Sequence, residues 1–202
     1  MSTPDLRTSD RPDPTQGQRH PGGVFVVSGP TAVGKGTVCA RLRERHPEIF
    51  VSVSVTTRAP RPNEVDGVHY HFVDDETFDR LVAEGGLLEW AVVHKRARYG
   101  TPREPVEQAV ARGEVVVLEI DLQGAKQVRV SYPEATHIFL EPPNWDELVR
   151  RLVGRGTETP EQQRERLATA KLELAAKAQF DEVVVNGEIE ETVDRLVELT
   201  GL

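Results

Sequence analysis

The sequence has almost no cysteine, no long apolar run, no internal repeat and a deficit of positive charge, and each shortage closes a class of function. One cysteine in 202 residues, Cys39, leaves no internal disulfide and no cysteine-built metal site. It falls within a helical pattern, where a small buried apolar side chain is the expected role rather than a reactive thiol. No apolar stretch nears the roughly 20 residues that cross a bilayer, so a membrane-spanning helix is excluded. Lys and Arg number 25 against 33 Asp and Glu, a net charge of -8. A general nucleic-acid binder needs a broad basic surface to displace counterions, so the charge argues against that class, whereas a small anionic ligand needs only local arginines. Residues 1–21 are rich in Pro, Asp, Arg, Ser and Gln without an apolar core, and read as a disordered tail rather than a signal peptide. With 38% hydrophobic and 29% charged residues, the remainder suits one soluble globular domain with a sizeable interior.

Against these absences stands one dense stretch, Val24-Phe-Val-Val-Ser-Gly29-Pro-Thr-Ala-Val-Gly34-Lys35-Gly36-Thr37. It reads as a strand, a glycine loop and a helix start, and it carries the G-x-x-x-x-G-K part of the P-loop signature. In that signature backbone N–H groups surround phosphate oxygens and the lysine meets the terminal phosphates. Gly29, Pro30, Thr31, Ala32, Val33, Gly34, Lys35, Gly36 and Thr37 are therefore the candidate triphosphate-binding residues. Gly36 stands where the signature has Ser or Thr, and Thr37 comes one residue late.

Periodicity and punctuation supply the frame. Strands are expected at 24–28, 51–55, 69–73, 87–94, 115–120, 137–140 and 183–185. Helices are expected from the P-loop to His46-Pro47, over 75–84 behind an Asp74 cap, and over 122–130. Others run from a Thr101-Pro102-Arg103-Glu104 capping box to about Arg112, from Asn144 to Gly154-Arg155-Gly156, from Thr159 to about Ala178, and over 189–199. Lys95 to Arg98 reads as an irregular basic segment. Alternating strands and helices argue for an α/β P-loop fold with a mainly parallel sheet and phosphate chemistry at the strand C-terminal ends. The core is expected over 22–53, 105–143 and 167–202, with an inserted lobe at 54–104 and a mobile lid at 144–166.

Downstream of the loop come Ser54-Val-Thr-Thr-Arg58-Ala-Pro-Arg61, Tyr70-His-Phe, Leu88-Glu89-Trp90, Tyr99-Gly100-Thr101, Glu119-Ile-Asp121-Leu-Gln-Gly124 and Gly154-Arg-Gly-Thr-Glu158. In this order, over residues 23–202, the chain resembles guanylate kinases. The resemblance implies phosphoryl transfer from ATP to GMP or dGMP, with Mg2+, in the cytoplasm and without nucleic-acid or membrane partners. It implies that Arg58, Arg61, Tyr70 and Tyr99 grip the GMP phosphate, a task for which the arginine fork is suited. It also implies that Glu89 and Asp121 accept from guanine N–H groups while Ser54 and Thr101 donate. Thr101 competes for a second role as a helix cap, and Glu89 for that of an exposed strand residue.

Residues 144–166 hold five arginines and five acids, so their case rests on position rather than charge. By resemblance Arg151, Arg155 and Arg166 are lid arginines closing over the ATP phosphates, with Arg150 and Arg164 solvated. Asn186 either lies beside the adenine or forms an Asn-Gly turn. Two departures from the family stand out. Gly36 lacks a metal-approaching hydroxyl, so Mg2+ is expected to rest mainly on ATP oxygens and water, helped through water by Thr37 or Asp121. The segment from His94 to Tyr99 is one residue longer than the family turn. Two rival readings are a P-loop kinase of a phosphorylated sugar and a non-catalytic guanylate-kinase-like binding module.

Overall fold

The computed structural model describes residues 22–93, 97–154 and 159–202. The expected tail at 1–21, residues 94–96 and the lid arginine Arg155 lie outside the described residues.

The chain begins with the predicted apolar strand, β1 (Gly23–Ser28), which leads through the glycine loop into α1 (Lys35–Arg45). Apolar residues at 38, 39 and 42 give α1 a buried face, and the His46 N–H on the Leu42 carbonyl closes it before Pro47. Cys39 belongs to that face, and burial pushes its thiol pKa up, so it packs as a small apolar group. Three further predicted strands form beside β1: β7 (Val115–Glu119), β8 (Thr136–Glu141) and β9 (Glu182–Val185). With β2 (Phe50–Val51) they make a five-stranded parallel sheet in the order β2-β7-β1-β8-β9. Val116 to Leu118 of β7 are buried on both faces, as a near-continuous apolar strand requires. One apolar cluster, around Val38, Leu42, Val117 and Leu196, fills one side of the sheet. A second, around Val26, Val106, Leu118 and Val128, fills the other.

A second, four-stranded sheet has the order β4-β3-β6-β5. It is built from β3 (Val55–Thr56), β4 (His71–Phe72), β5 (Leu87–Val93) and β6 (Ala97–Pro102). Phe78 on α2 (Asp75–Ala83) is buried beneath it with Val55 and Leu87, and the Asp74 carboxylate caps α2 by accepting from the Thr77 N–H.

Two expectations change here. The strand predicted over 51–55 is two strands. After Val51 the chain gives its last core-sheet bond from Ser52 to Val117, then crosses to the second sheet, where Val55 pairs with Gly100. The basic segment predicted as irregular enters β6 at Ala97, because Arg98 is neutralised from a distance: it donates to Asp75 and Asp79 and lies over the Phe78 ring at 4.6 Å.

The remaining helices are α3 (Arg103–Ala111), α4 (Leu122–Ser131), α5 (Trp145–Val153), α6 (Pro160–Ala175) and α7 (Ile189–Thr200). Asn144 caps α5, and the Thr159/Gln162 capping box opens α6, which gives way to a 3-10 turn at Ala176. The capping box predicted at Thr101 does not form: Thr101 is a buried residue of β6, Pro102 holds the cap position, and no side chain caps α3. Among the described residues no helix is long and apolar enough to cross a membrane.

Candidate active site

The glycine loop sits at the C-terminal end of β1, with α1 leading away from it. Gly34 caps α1 at φ +102°, a conformation that suits glycine, and it brings no capping side chain, so the first-turn N–H groups are not claimed by one. Ala32 adopts φ +64°, which costs a non-glycine residue about 1 kcal/mol and must be held from outside. The Val33 carbonyl supplies the hold. It accepts from Arg151 Nη1 at 2.9 Å and from Asn186 Nδ2 at 2.8 Å, filling both lone pairs. Lys35 Nζ donates back to the carbonyls of Gly29 and Pro30 at 2.7 and 3.2 Å. Pro30 also accepts from the Val33 N–H, and the Val33 side chain is in the core, so these two residues shape the loop and offer a ligand no free polar group. From α6, Glu173 accepts from the Thr31 N–H at 2.7 Å and Arg166 donates to the Thr31 hydroxyl at 2.8 Å. Residues 166 and 173 are two turns apart on one helix face, which lets both reach one loop residue.

Thr31, Lys35, Ser54, Tyr70 and Glu119 line both a cavity of about 390 Å3 against the loop and a smaller one of about 170 Å3 beneath the second sheet. The two form one cleft. On its second-sheet wall Arg58 Nε donates to Tyr99 Oη, and both terminal nitrogens meet the Glu64 carboxylate at 2.8 and 3.0 Å. The pair is largely withdrawn from water, at 17% and 16% side-chain exposure, and Glu64 also accepts from the Arg61 N–H. Burial pulls the Glu64 pKa upward, but the Arg58 bonds outweigh it and leave the carboxyl below its usual range. Arg58 also lies over the Tyr70 ring at 5.4 Å, and Tyr70 meets Tyr99 edge-on at 5.8 Å. Arg61 is exposed at the cleft's rim. Of the four residues that the resemblance assigns to the GMP phosphate, Arg61, Tyr70 and Tyr99 thus line the cavities and Arg58 is bonded to Tyr99, while Ser54, assigned to the base, lines both cavities.

At the other end Glu89 is 4% exposed, not the exposed strand residue that was its alternative. Its Oε1 accepts from the Thr101 hydroxyl at 2.6 Å, so that hydroxyl neither caps α3 nor has its proton free for a base, and it holds Glu89 instead. Burial first, and Asp121 second, drive the Glu89 pKa up to about 7 against the opposing Thr101 hydrogen bond. Asp121 lines the same cavity but also caps α4, accepting from the Gly124 N–H at 2.8 Å, a role not foreseen for it.

A family model described as guanylate kinase matches residues 22–200. The guanylate kinase of Cutibacterium acnes is 64% identical over 93% of this chain and 95% of its own length. That of Thermobifida fusca is 57% identical over 91% and 93%. A crystal structure of guanylate kinase from Anaplasma phagocytophilum is 38% identical, covers 89% of this chain and 85% of its own, and superposes with a TM-score of 0.75. The chain belongs to the guanylate kinase family.

Within the guanylate kinase fold, several expected residues take roles that spacing did not announce. Arg151 is bonded to Glu147, to Val33 and, at 3.2 Å, to the Asn186 carbonyl, so it ties α5 to the loop. Asn186 is 2% exposed and forms neither an exposed turn nor a free polar edge: its amide holds Val33 and accepts from Thr192. Asn186 and Arg151 border a further cavity with Ala32, Gly34 and Thr37. Glu64 and Glu173 were not singled out from the sequence. Their signal is only their partner, a cation or a loop amide far along the chain for Glu173 and a proline-rich loop for Glu64.

Asn186→Ala removes one of two donors from a strained loop. It is expected to lower stability by about 2–3 kcal/mol and to raise the KM for the triphosphate more than that for its co-substrate. Urea melts and paired kinetics check this, and an unchanged midpoint would contradict it.

The donor set also bears on Mg2+. Glu119, whose pKa burial raises against the pull of Lys35 and Arg43, lies 3.5 Å from where a Gly36 Cβ would sit. A side chain at 36 would therefore meet ordinary contact, and a carboxylate already faces the place of the missing hydroxyl. Among the described residues no three His, Cys, Asp or Glu converge for a metal. One carboxylate and the Thr37 hydroxyl suit a cation carried chiefly by phosphate oxygens and water.

Proposed function

We propose that this chain transfers the γ-phosphoryl group of ATP to GMP or dGMP, reversibly, giving ADP and the guanosine diphosphate. The observation that carries the reading is the single cleft joining the P-loop to the buried Glu89, with the Arg58 and tyrosine cluster between them. A phosphate oxygen of GMP attacks the γ-phosphorus in line; that P–O bond forms as the bond to the bridging oxygen of ADP breaks, with no covalent enzyme intermediate. The loop amides and Lys35 hold the donor phosphates. Arg58, with Arg61, Tyr70 and Tyr99, holds the acceptor phosphate, which takes the place Glu64 now has on the arginine fork. Glu89 and Asp121 accept from guanine N1–H and the 2-amino group, and Ser54 and Thr101 complete the base site.

Arg151, Arg155 and Arg166 supply positive charge as a lid of residues 144–166 closes, and residues 54–104 act as the GMP-binding lobe on a core of 22–53, 105–143 and 167–202. Asn186 borders the adenine side. Mg2+ when bound neutralises phosphate charge, and Glu119 and Thr37 would hold it through water. The site of action is the cytoplasm, where both nucleotides are found. Joint assembly of Glu89, Thr101 and Asp121 favours this reading over a sugar-phosphate kinase, which has no use for a guanine site.

A coupled ADP-release assay with GMP, dGMP, AMP, UMP and ribose bisphosphate tests the assignment. GMP and dGMP are expected to exceed the others by at least about a hundredfold in kcat/KM, as a hydrogen-bonding base site implies. Comparable turnover of AMP or ribose bisphosphate would overturn it.

A further inference from the structure

We propose that Gly124 is a specificity-determining position, whose missing side chain forms the seat of the Glu89 carboxylate; the inference rests on the guanine-site reading of Glu89. Gly124 lies in the first turn of α4, and its backbone is ordinary helix without the positive φ that calls for glycine elsewhere in the chain. In such a place alanine is normally the better residue by about 1 kcal/mol. What glycine supplies here is space. A Cβ at position 124 would lie 2.2 Å from Glu89 Oε2 and 2.8 Å from Cδ, well inside contact distance.

The obstacle is the end of one side chain and not backbone, so the fold can yield while the site cannot. Glu89 must swing away, break its bond with Thr101 and leave the wall of the cleft. The carboxylate is thereby fixed from two sides: Thr101 of β6 sets one oxygen, and the bare turn of α4 admits the other. Gly124 touches neither substrate in this account; it positions Glu89. Its N–H on Asp121 ties the second base-site carboxylate to the same turn.

The test compares Gly124→Ala, Glu89→Asp and the double variant in kcat/KM for GMP, with KM for ATP measured alongside. Gly124→Ala is expected to lose at least about a hundredfold in kcat/KM for GMP with KM for ATP within about twofold. In the Glu89→Asp background, where the shorter side chain withdraws from the overlap, the same change should cost less than about threefold. The acid limb of the GMP profile should also move to lower pH in Gly124→Ala, because a displaced Glu89 is less buried. Lys35, Tyr70, Tyr99, Glu119, Asp121 and Glu173, the other titratable groups facing that cavity, are unchanged in the comparison. A merely structural defect would not move that limb.

Equal losses in both backgrounds, or no loss at all, would overturn the inference. Should Gly124→Ala not fold, the double variant decides alone: it folds and turns over if overlap with Glu89 is the fault, and does not if the helix is. Failure of the guanine-site reading is separate, since it would show as Glu89→Gln keeping full use of GMP.

Discussion

Lys35→Ala is expected to lower kcat by about a thousandfold while leaving the KM for GMP within about threefold. The range follows from what one preorganised charged donor contributes when negative charge spreads over a transferring phosphoryl group. The ammonium donates to the Gly29 and Pro30 carbonyls, at 2.7 and 3.2 Å, so the protein itself holds it over the loop. Burial raises the pKa of Glu119 and Glu173, two part-buried carboxylates bordering the cleft, and the lysine opposes that rise. Removing the lysine therefore leaves negative charge less opposed, by Arg43 and Arg166 alone, where the substrate's own charge must enter. The loop's shape should survive, because Asn186 and Arg151 hold Val33 without help from Lys35. Steady-state kinetics with ATP-binding calorimetry checks this; a kcat within tenfold of the parent would sink the role given to the lysine.

Glu89→Gln should lower kcat/KM for GMP by about a hundredfold or more, with little change for ATP, because the amide presents a donor towards guanine N–H groups that need an acceptor. The parent should also lose GMP use as pH falls through about 7, where Glu89 takes up a proton, by about tenfold for each pH unit. The phosphate of GMP titrates in both proteins, so the difference between their profiles isolates Glu89.

Stability should move the opposite way. The folded protein keeps the Glu89 proton up to about 7, whereas the unfolded chain releases it near the ordinary carboxylate value. Burial of this group therefore costs nothing at low pH and progressively more as pH rises to about 7, reaching on the order of 3 kcal/mol above it. Glu89→Gln removes that cost. It is expected to melt higher than the parent at pH 8 and no higher at pH 4, and a lower midpoint at pH 8 would contradict the burial argument.

The loop, α1 and the buried strands were legible because their signals are local and strong: β1 and β7 are apolar runs next to glycines, and Asp74, Asn144 and Thr159 announce their caps. The second sheet was harder. Val51 and Val55 share one alternating run yet pair with different sheets, and Arg98 enters a strand through acids contributed by α2. Within the cleft, resemblance singled out Arg58, Glu89 and Arg151, but not what each of them holds. Arg58 is on Glu64, and Arg151 is on a loop carbonyl 118 residues away. Such pairings depend on how distant segments meet. Gly124 shows the same limit from the other side, since a glycine in a helix reads as a weak point until the carboxylate above it is seen.

The most direct measurement follows the phosphoryl group itself. With ATP labelled at the γ-phosphate and an equimolar mixture of GMP, AMP and UMP, the label should pass to GDP, with Lys35→Ala reducing and Glu89→Gln redirecting the transfer. Label released mainly as inorganic phosphate, or carried to ADP formed from AMP as readily as to GDP, would contradict the account.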